Sequence, residues 1–101
     1  MPVDGGGSYV DVAADRLSKM LAAKDFVLVN VHVPYEGELA KTDAFIPYDQ
    51  IAAQTAALPA DKAAKIVLYC RSGSMSAIAA RTLVGLGYTN VYNLDGGLNA
   101  W

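Results

Sequence analysis

The apolar positions fall into short runs set between helical patterns and polar loops. Residues 9–12 (Tyr-Val-Asp-Val) alternate enough for a short edge strand. Residues 14–23 carry Leu17, Met20 and Leu21 at helical spacing, and Asp15 lies near the start, where the helix dipole favours an anion. Ala13 is a poor N-cap for that helix. Residues 26–31 (Phe-Val-Leu-Val-Asn-Val) are almost unbroken in their apolarity, the pattern of a central parallel strand covered on both faces. Residues 33–43, with Pro34, Glu36, Gly37 and Glu38, read as a connection. Phe45 and Ile46 form a brief strand ended by Pro47, and Tyr48 packs beside it. Residues 49–58 suit a short helix with Ile51 and Leu58 inward and Pro59 as its stop.

A second apolar run, residues 66–69 (Ile-Val-Leu-Tyr), leads into a polar loop. A helix follows from about Ser74, with Ala77, Ile78, Ala79, Ala80, Leu83, Val84 and Leu86 as its packing set. Gly85 weakens that helix, Gly87 is its natural C-cap, and Arg81 belongs to its surface. A last strand ends at Tyr92, residues 93–97 form a loop, and residues 98–101 begin a helical turn. This order predicts an α/β fold: a small, mostly parallel central sheet with helices on both faces, joined by right-handed crossovers.

Composition narrows the classes. The chain has 101 residues, enough for one domain, and a domain of that length buries roughly 60–68% of its unfolded surface without a metal or disulfide staple. Residues 1–8 read as a flexible tail or linker remnant and residues 9–101 as the domain. A net charge of −2 offers no basic footprint for nucleic acid. No apolar run is long enough for a membrane span, and no cleavable signal pattern is visible. The default placement is therefore cytoplasmic, with room for a targeting segment in a longer parent protein. The single cysteine leaves no intrachain disulfide and no cysteine-rich metal site, and neither a metal nor a cofactor is expected.

That cysteine, Cys70, stands at the polar exit of the 66–69 run rather than within it. A buried inert cysteine would fit better inside the run. The loop that follows, Arg71-Ser-Gly-Ser-Met-Ser76, is small and polar. Gly73 opens backbone conformations closed to other residues, so successive N–H groups can turn inward as an anion-binding nest. The helix N-terminus adds a positive field, which favours the thiolate and hence nucleophilic sulfur. Arg71 either attracts an anion or points to solvent. Ser72, Ser74 and Ser76 either contact a substrate or cap the helix. His32, past the end of the first central strand, either lines the pocket as an acid or base or bonds locally within its loop. Glu36 and Glu38 suit a catalytic pair only by proximity, and solvated loop carboxylates are the default.

Three segments share a wider pattern. They are Val27-Leu-Val-Asn-Val-His32, Ile66-Val-Leu-Tyr-Cys-Arg-Ser-Gly73, and Leu83 to Trp101 with its combination of Gly87-Tyr88, Asp95-Gly-Gly97 and Ala100-Trp101. Together they resemble a single-domain rhodanese, a rhodanese-like sulfurtransferase, across residues 10–101. The resemblance implies that Cys70 accepts a sulfane sulfur from thiosulfate or a persulfide. The backbone N–H groups from Arg71 through Ser76 would hold the charged terminal sulfur, with Arg71, Ser72, Gly73, Ser74, Met75, Ser76 and His32 around the substrate. Cyanide or a thiol would then take the sulfur. Departures are visible: Asn30-Val31-His32 stands where many members have Asp-Val-Arg, residues 42–47 match poorly, and Met75 stands where active members often have arginine.

Those departures keep a second function in view, a weakly active or non-enzymatic rhodanese module that carries persulfide or binds a protein partner. An open pocket ringed by N–H groups would favour transfer, whereas a cysteine covered by Met75 would favour the module. Cysteine phosphatases of related fold need an arginine six positions after the cysteine. Ser76 stands there, so the phosphate clamp is missing. Disulfide exchange lacks a second, resolving cysteine.

Overall fold

The computed structural model describes residues 7–33 and 38–101. Part of the predicted tail and residues 34–37 of the predicted connection lie outside them, and with these the Glu36–Glu38 pairing. Five strands form one sheet: β1 (Val10–Val12), β2 (Val27–Asn30), β3 (Ala44–Phe45), β4 (Ile66–Tyr69) and β5 (Val91–Leu94). Their spatial order is β1-β5-β4-β2-β3, and all four pairings are parallel, so the sheet is wholly rather than mostly parallel. The first strand lies at one edge, as predicted, and Ile66–Tyr69 lies in the interior of the sheet.

Helices cover both faces, as the apolar runs require. On one face α2 (Ser74–Gly85) and a 3-10 helix (Ile51–Ala57) bury Ile51, Leu58, Ala79, Ala80, Leu83 and Val84 against Val29, Val31, Ile66 and Leu68. On the other, Leu17 and Leu21 of α1 (Ala14–Ala22), with partly buried Leu98 of α3 (Gly97–Ala100), meet Leu28, Val67 and Tyr69. Alternation along β4 therefore puts Cys70 on the α2 face and Tyr69 on the α1 face. The end of α2 closes with Gly87 N–H on Val84 C=O and Tyr88 N–H on Leu83 C=O, the paired bonds of a Schellman turn.

Several boundaries differ from expectation for identifiable reasons. The helix predicted over 49–58 is a 3-10 segment interrupted at Gln54, whose φ of −120° is not helical. Pro59 forces Leu58 into extended backbone, and Leu58 N–H bonds three residues back to Thr55. The third strand lies one residue earlier, at Ala44–Phe45, although Ile46 N–H still bonds Asn30 C=O. The fifth strand does not end at Tyr92. Asn93 and Leu94 continue it, paired with Asp11 and Val12 of β1, so the predicted loop starts only at Asp95. Asparagine is a poor strand former in general, but the polar partners of Asn93 on its two sides hold it here.

Candidate active site

β4 delivers Cys70 to the carboxyl end of the sheet, where parallel α/β folds leave a crevice. The loop then turns through Gly73, whose left-handed φ of +97° is open to glycine and which is the N-cap of α2. Gly73 N–H reaches Cys70 Sγ at 2.9 Å and Ser76 N–H reaches it at 3.5 Å. Ser76 Oγ lies 3.4 Å from the same sulfur. Cys70 is only 1% exposed, so these contacts form away from bulk water. Burial pushes the thiol pKa up. The Ser76 hydroxyl and the N–H groups of Ser76, Gly73 and Ser72 act against it, and their sum holds the thiol below its ordinary value. Donors of this kind at a helix N-terminus favour the thiolate form.

The loop is held from behind by the turn after β5. Leu98 N–H bonds Cys70 C=O and Asn99 N–H bonds Arg71 C=O, both at 2.9 Å. This approach is possible because residue 97 is glycine. A Cβ there would stand 2.3 Å from Cys70 O and 2.6 Å from Arg71 C and O. In the sequence, the Asp95-Gly-Gly97 segment carries a resemblance but no evident physical role. Its role in the structure is to seat the cysteine loop.

The predicted site residues separate into two groups. Gly73, Ser76 and the backbone N–H of Ser72 converge on the Cys70 sulfur, and Met75 packs, partly buried, against the same core cluster. Arg71, Ser72 and Ser74 are exposed, and the Ser72 and Ser74 hydroxyls pair at 3.1 Å. Serine capping of α2 is not used: Gly73 occupies the N-cap, and Ser74 and Ser76 lie within the helix. His32 is 9% exposed and follows Val31, whose N–H bonds Tyr69 C=O. Its own N–H bonds Asn30 Oδ1 at 3.0 Å, a local contact that shapes the start of the connection. Beside it, Asn30, Glu38, Thr42, Asp43, Ala44 and Phe45 line a pocket of about 190 Å³.

Two residues near the sulfur went unmarked in the sequence. The Ser76 hydroxyl donates to Asn93 Oδ1, and Asn93 Nδ2 donates to Asp11 Oδ1 at 3.0 Å. Once β5 is seen to reach Leu94, Asn93 falls two residues beyond Val91 on the face that carries α2. Among the described residues there is no group of three or more His, Cys, Asp or Glu able to hold a metal ion, and no helix long and apolar enough to cross a membrane.

Known proteins place this chain in a family. The family model of the rhodanese-like domain matches residues 13–101. A sulfurtransferase of Allochromatium vinosum is 35% identical over 96 residues, covering 90% of this chain and 86% of that protein. A thiosulfate sulfurtransferase, GlpE, of Pseudomonas entomophila is 45% identical over 42 residues, which is 42% of this chain and 38% of the relative. Some other relatives are much longer, and this chain matches 15% and 27% of two of them. The crystal structure of a rhodanese-like domain protein from Staphylococcus aureus superposes with a TM-score of 0.79 at 25% identity, over 91% of this chain and 90% of that one. The family model and these relatives cover nearly the whole of this chain: it belongs to the rhodanese-like domain family.

Proposed function

We propose that this domain is a sulfurtransferase that moves sulfane sulfur from thiosulfate, or a related donor, to a thiophilic acceptor through a persulfide on Cys70. The observation that carries the reading is the pair of backbone N–H groups, Gly73 at 2.9 Å and Ser76 at 3.5 Å, aimed at a buried sulfur. The Cys70 thiolate attacks the outer sulfur of thiosulfate. A sulfur–sulfur bond forms on Cys70, the bond to the sulfonate breaks, and sulfite leaves with the electron pair. Cyanide or a thiolate then attacks the terminal sulfur, and Cys70 departs as the thiolate. Splitting the transfer in two is the usual advantage of a covalent intermediate. The N–H groups of the loop stabilise negative charge on sulfur in both halves. The name of the Pseudomonas relative supports thiosulfate as the donor to try first.

A second reading has its own support. Cys70 is 1% exposed, Met75 packs against its cluster, and neither Ser74 nor Met75 supplies a cation for a sulfonate. These features favour a persulfide carrier, or a protein-binding module, with weak turnover of free thiosulfate. One experiment separates the readings. The protein is incubated with thiosulfate, an alkyl thiosulfonate or glutathione persulfide, freed of excess donor, and weighed intact. Addition of one sulfur atom, absent in Cys70→Ser, is the expected result. If no donor adds sulfur, the acceptor role of Cys70 is lost. Cyanide-dependent release of thiocyanate over many turnovers marks an enzyme, and a single release marks a carrier.

A further inference from the structure

The surroundings of Cys70 extend beyond Ser76. Asn93 is 4% exposed, and its amide is held from two sides, by the Ser76 hydroxyl on Oδ1 and by Asp11 Oδ1 on Nδ2. The parallel register of β1 and β5 places Asp11 beside Asn93, so the contact is built into the sheet. A carboxylate only accepts. The NH₂ of Asn93 must therefore face Asp11, and its carbonyl must face Ser76.

Ser76 has one hydroxyl proton and three neighbours that can take it: Asn93 Oδ1, Gly73 O at 3.2 Å and Cys70 Sγ at 3.4 Å. With Cys70 as a thiol there is no conflict, because S–H donates to Ser76 Oγ and Ser76 donates to Asn93. With Cys70 as a thiolate, Ser76 must turn its proton to sulfur, which strips the buried Asn93 carbonyl of its donor. Rotating the amide to offer Ser76 an N–H would instead press its oxygen against the Asp11 carboxylate. Both routes cost free energy, since an unpaired buried acceptor is expensive.

We infer that Asp11 and Asn93 are positioning residues that restrain the ionisation of Cys70: Asp11 fixes the amide, and the fixed amide competes with the sulfur for the proton of Ser76. The consequence for catalysis rests on the proposed sulfur transfer. There the pair disfavours the free thiolate relative to the persulfide, whose Sγ is neutral and whose charge sits on the outer sulfur. The ionisation itself is measurable with no transfer at all, so the two ideas fail separately. Other titratable or charged groups on the elements around Cys70 and the loops that flank them include Tyr69 on β4, Arg71 in the loop, Arg81 on α2, Tyr92 on β5, His32 after β2, Tyr48 after β3 and Asp95 after β5. All of them are unchanged in the comparison below.

The test is the pH dependence of Cys70 alkylation by iodoacetamide in the unmodified protein, Asp11→Asn, Ser76→Ala and the double variant. Asparagine at position 11 can donate or accept, which frees the Asn93 amide to turn. Asp11→Asn is expected to move the alkylation midpoint to lower pH and raise the rate below it on the order of threefold, half a pKa unit. The shift should vanish when Ser76 is alanine. An equal shift in both backgrounds would show that loss of charge acts alone, and it overturns the inference, as does no shift or a shift upward. The unmodified protein offers a reading that needs no variant. The side-chain amide resonances of Asn93 in the ¹⁵N-labelled protein should titrate at the Cys70 midpoint, and amide resonances that stay fixed through it overturn the inference as well.

Discussion

Tyr69 and Cys70 follow one another at the end of β4, and the strand's alternation sends them to opposite faces of the sheet. Both are buried, and burial is the largest influence on each, pushing both pKa values up. Their outcomes diverge. At Tyr69 the Thr42 hydroxyl, the Leu39 N–H and Asn30 pull the phenol down, the negative charge of Glu38 pushes it up again, and the balance stays above the ordinary tyrosine value. At Cys70 every further influence is a hydrogen bond that pulls down, and the balance falls below the ordinary thiol value. The number of donors and the opposing charge differ: Tyr69 has one backbone donor, the Leu39 N–H, and feels Glu38, whereas Cys70 has three backbone donors beside the Ser76 hydroxyl and no opposing charge. Thr42 Oγ1 faces Tyr69 Oη at 2.7 Å and can accept the phenol's proton as readily as donate its own. The backbone N–H groups around Cys70 can only donate, so they reward the charged form. Burial alone does not activate a group. Burial among several donors, with no like charge against them, lowers the thiol.

The largest expected effect removes the support that fixes those donors. Gly97→Ala puts a methyl group 2.3 Å from Cys70 O and against the Arg71 carbonyl, at a φ of +57° that already disfavours a side chain. Displacing that backbone should cost about 3–4 kcal/mol in urea unfolding. It should also return the Cys70 alkylation midpoint toward that of a free thiol, because the loop shifts off its seat. Gly87→Ala is the control. Its φ is +98°, yet nothing lies within 4 Å of the added Cβ, so it should lose about 1–2 kcal/mol and leave the Cys70 midpoint alone. If the two variants behave alike, the turn after β5 does not seat the loop.

How much of this was legible in the sequence follows the same division. The strand over residues 66–69, the polar exit at Cys70, the helix starting at Ser74 and the burial of Ile51 and Leu58 all follow from local pattern, because each is set by near neighbours in the chain. The parts that failed depend on distant segments. Asn93 looked like loop because its strand character comes from Asp11 and Ser76, 82 and 17 residues away. The Gly-Gly turn gave no hint of its duty to the Cys70 loop, since the close approach joins positions 97 and 70 across the fold. Serine capping was plausible at three positions, and only the backbone turn at Gly73 decided against it.

Ser76→Ala comes next in size. It removes one donor from the sulfur while leaving the Ser76 N–H in place. The Cys70 midpoint should rise, with up to about a tenfold loss of thiolate below it, equivalent to about 1.4 kcal/mol. The sign for stability follows from the same shift. The folded thiol ionises more easily than the unfolded one, so ionisation stabilises the fold. That increment is fully present above the unfolded thiol pKa and is lost as pH falls through the folded one. Ser76→Ala narrows the gap between the two values. Its added cost in urea unfolding should therefore be larger above the unfolded pKa than below the folded one, and a cost independent of pH would show that the hydroxyl does not act on the sulfur.

The smallest effect tests the other face. Tyr69→Phe removes the oxygen that accepts Leu39 N–H at 3.0 Å and meets Thr42 Oγ1 at 2.7 Å. Thr42 keeps its bond to Leu39 O at 2.6 Å, so the segment around residues 39–42 retains part of its closure. The buried N–H of Leu39 loses its partner, and the expected cost is about 1 kcal/mol in urea unfolding. The Cys70 alkylation midpoint should not move. The donors that set it belong to the loop and α2, and those packed around Tyr69 lie across the sheet. A midpoint that shifted with Tyr69→Phe would mean that β4 transmits strain from one face to the other. The thiolate would then depend on how the strand is held as well as on the cradle around it.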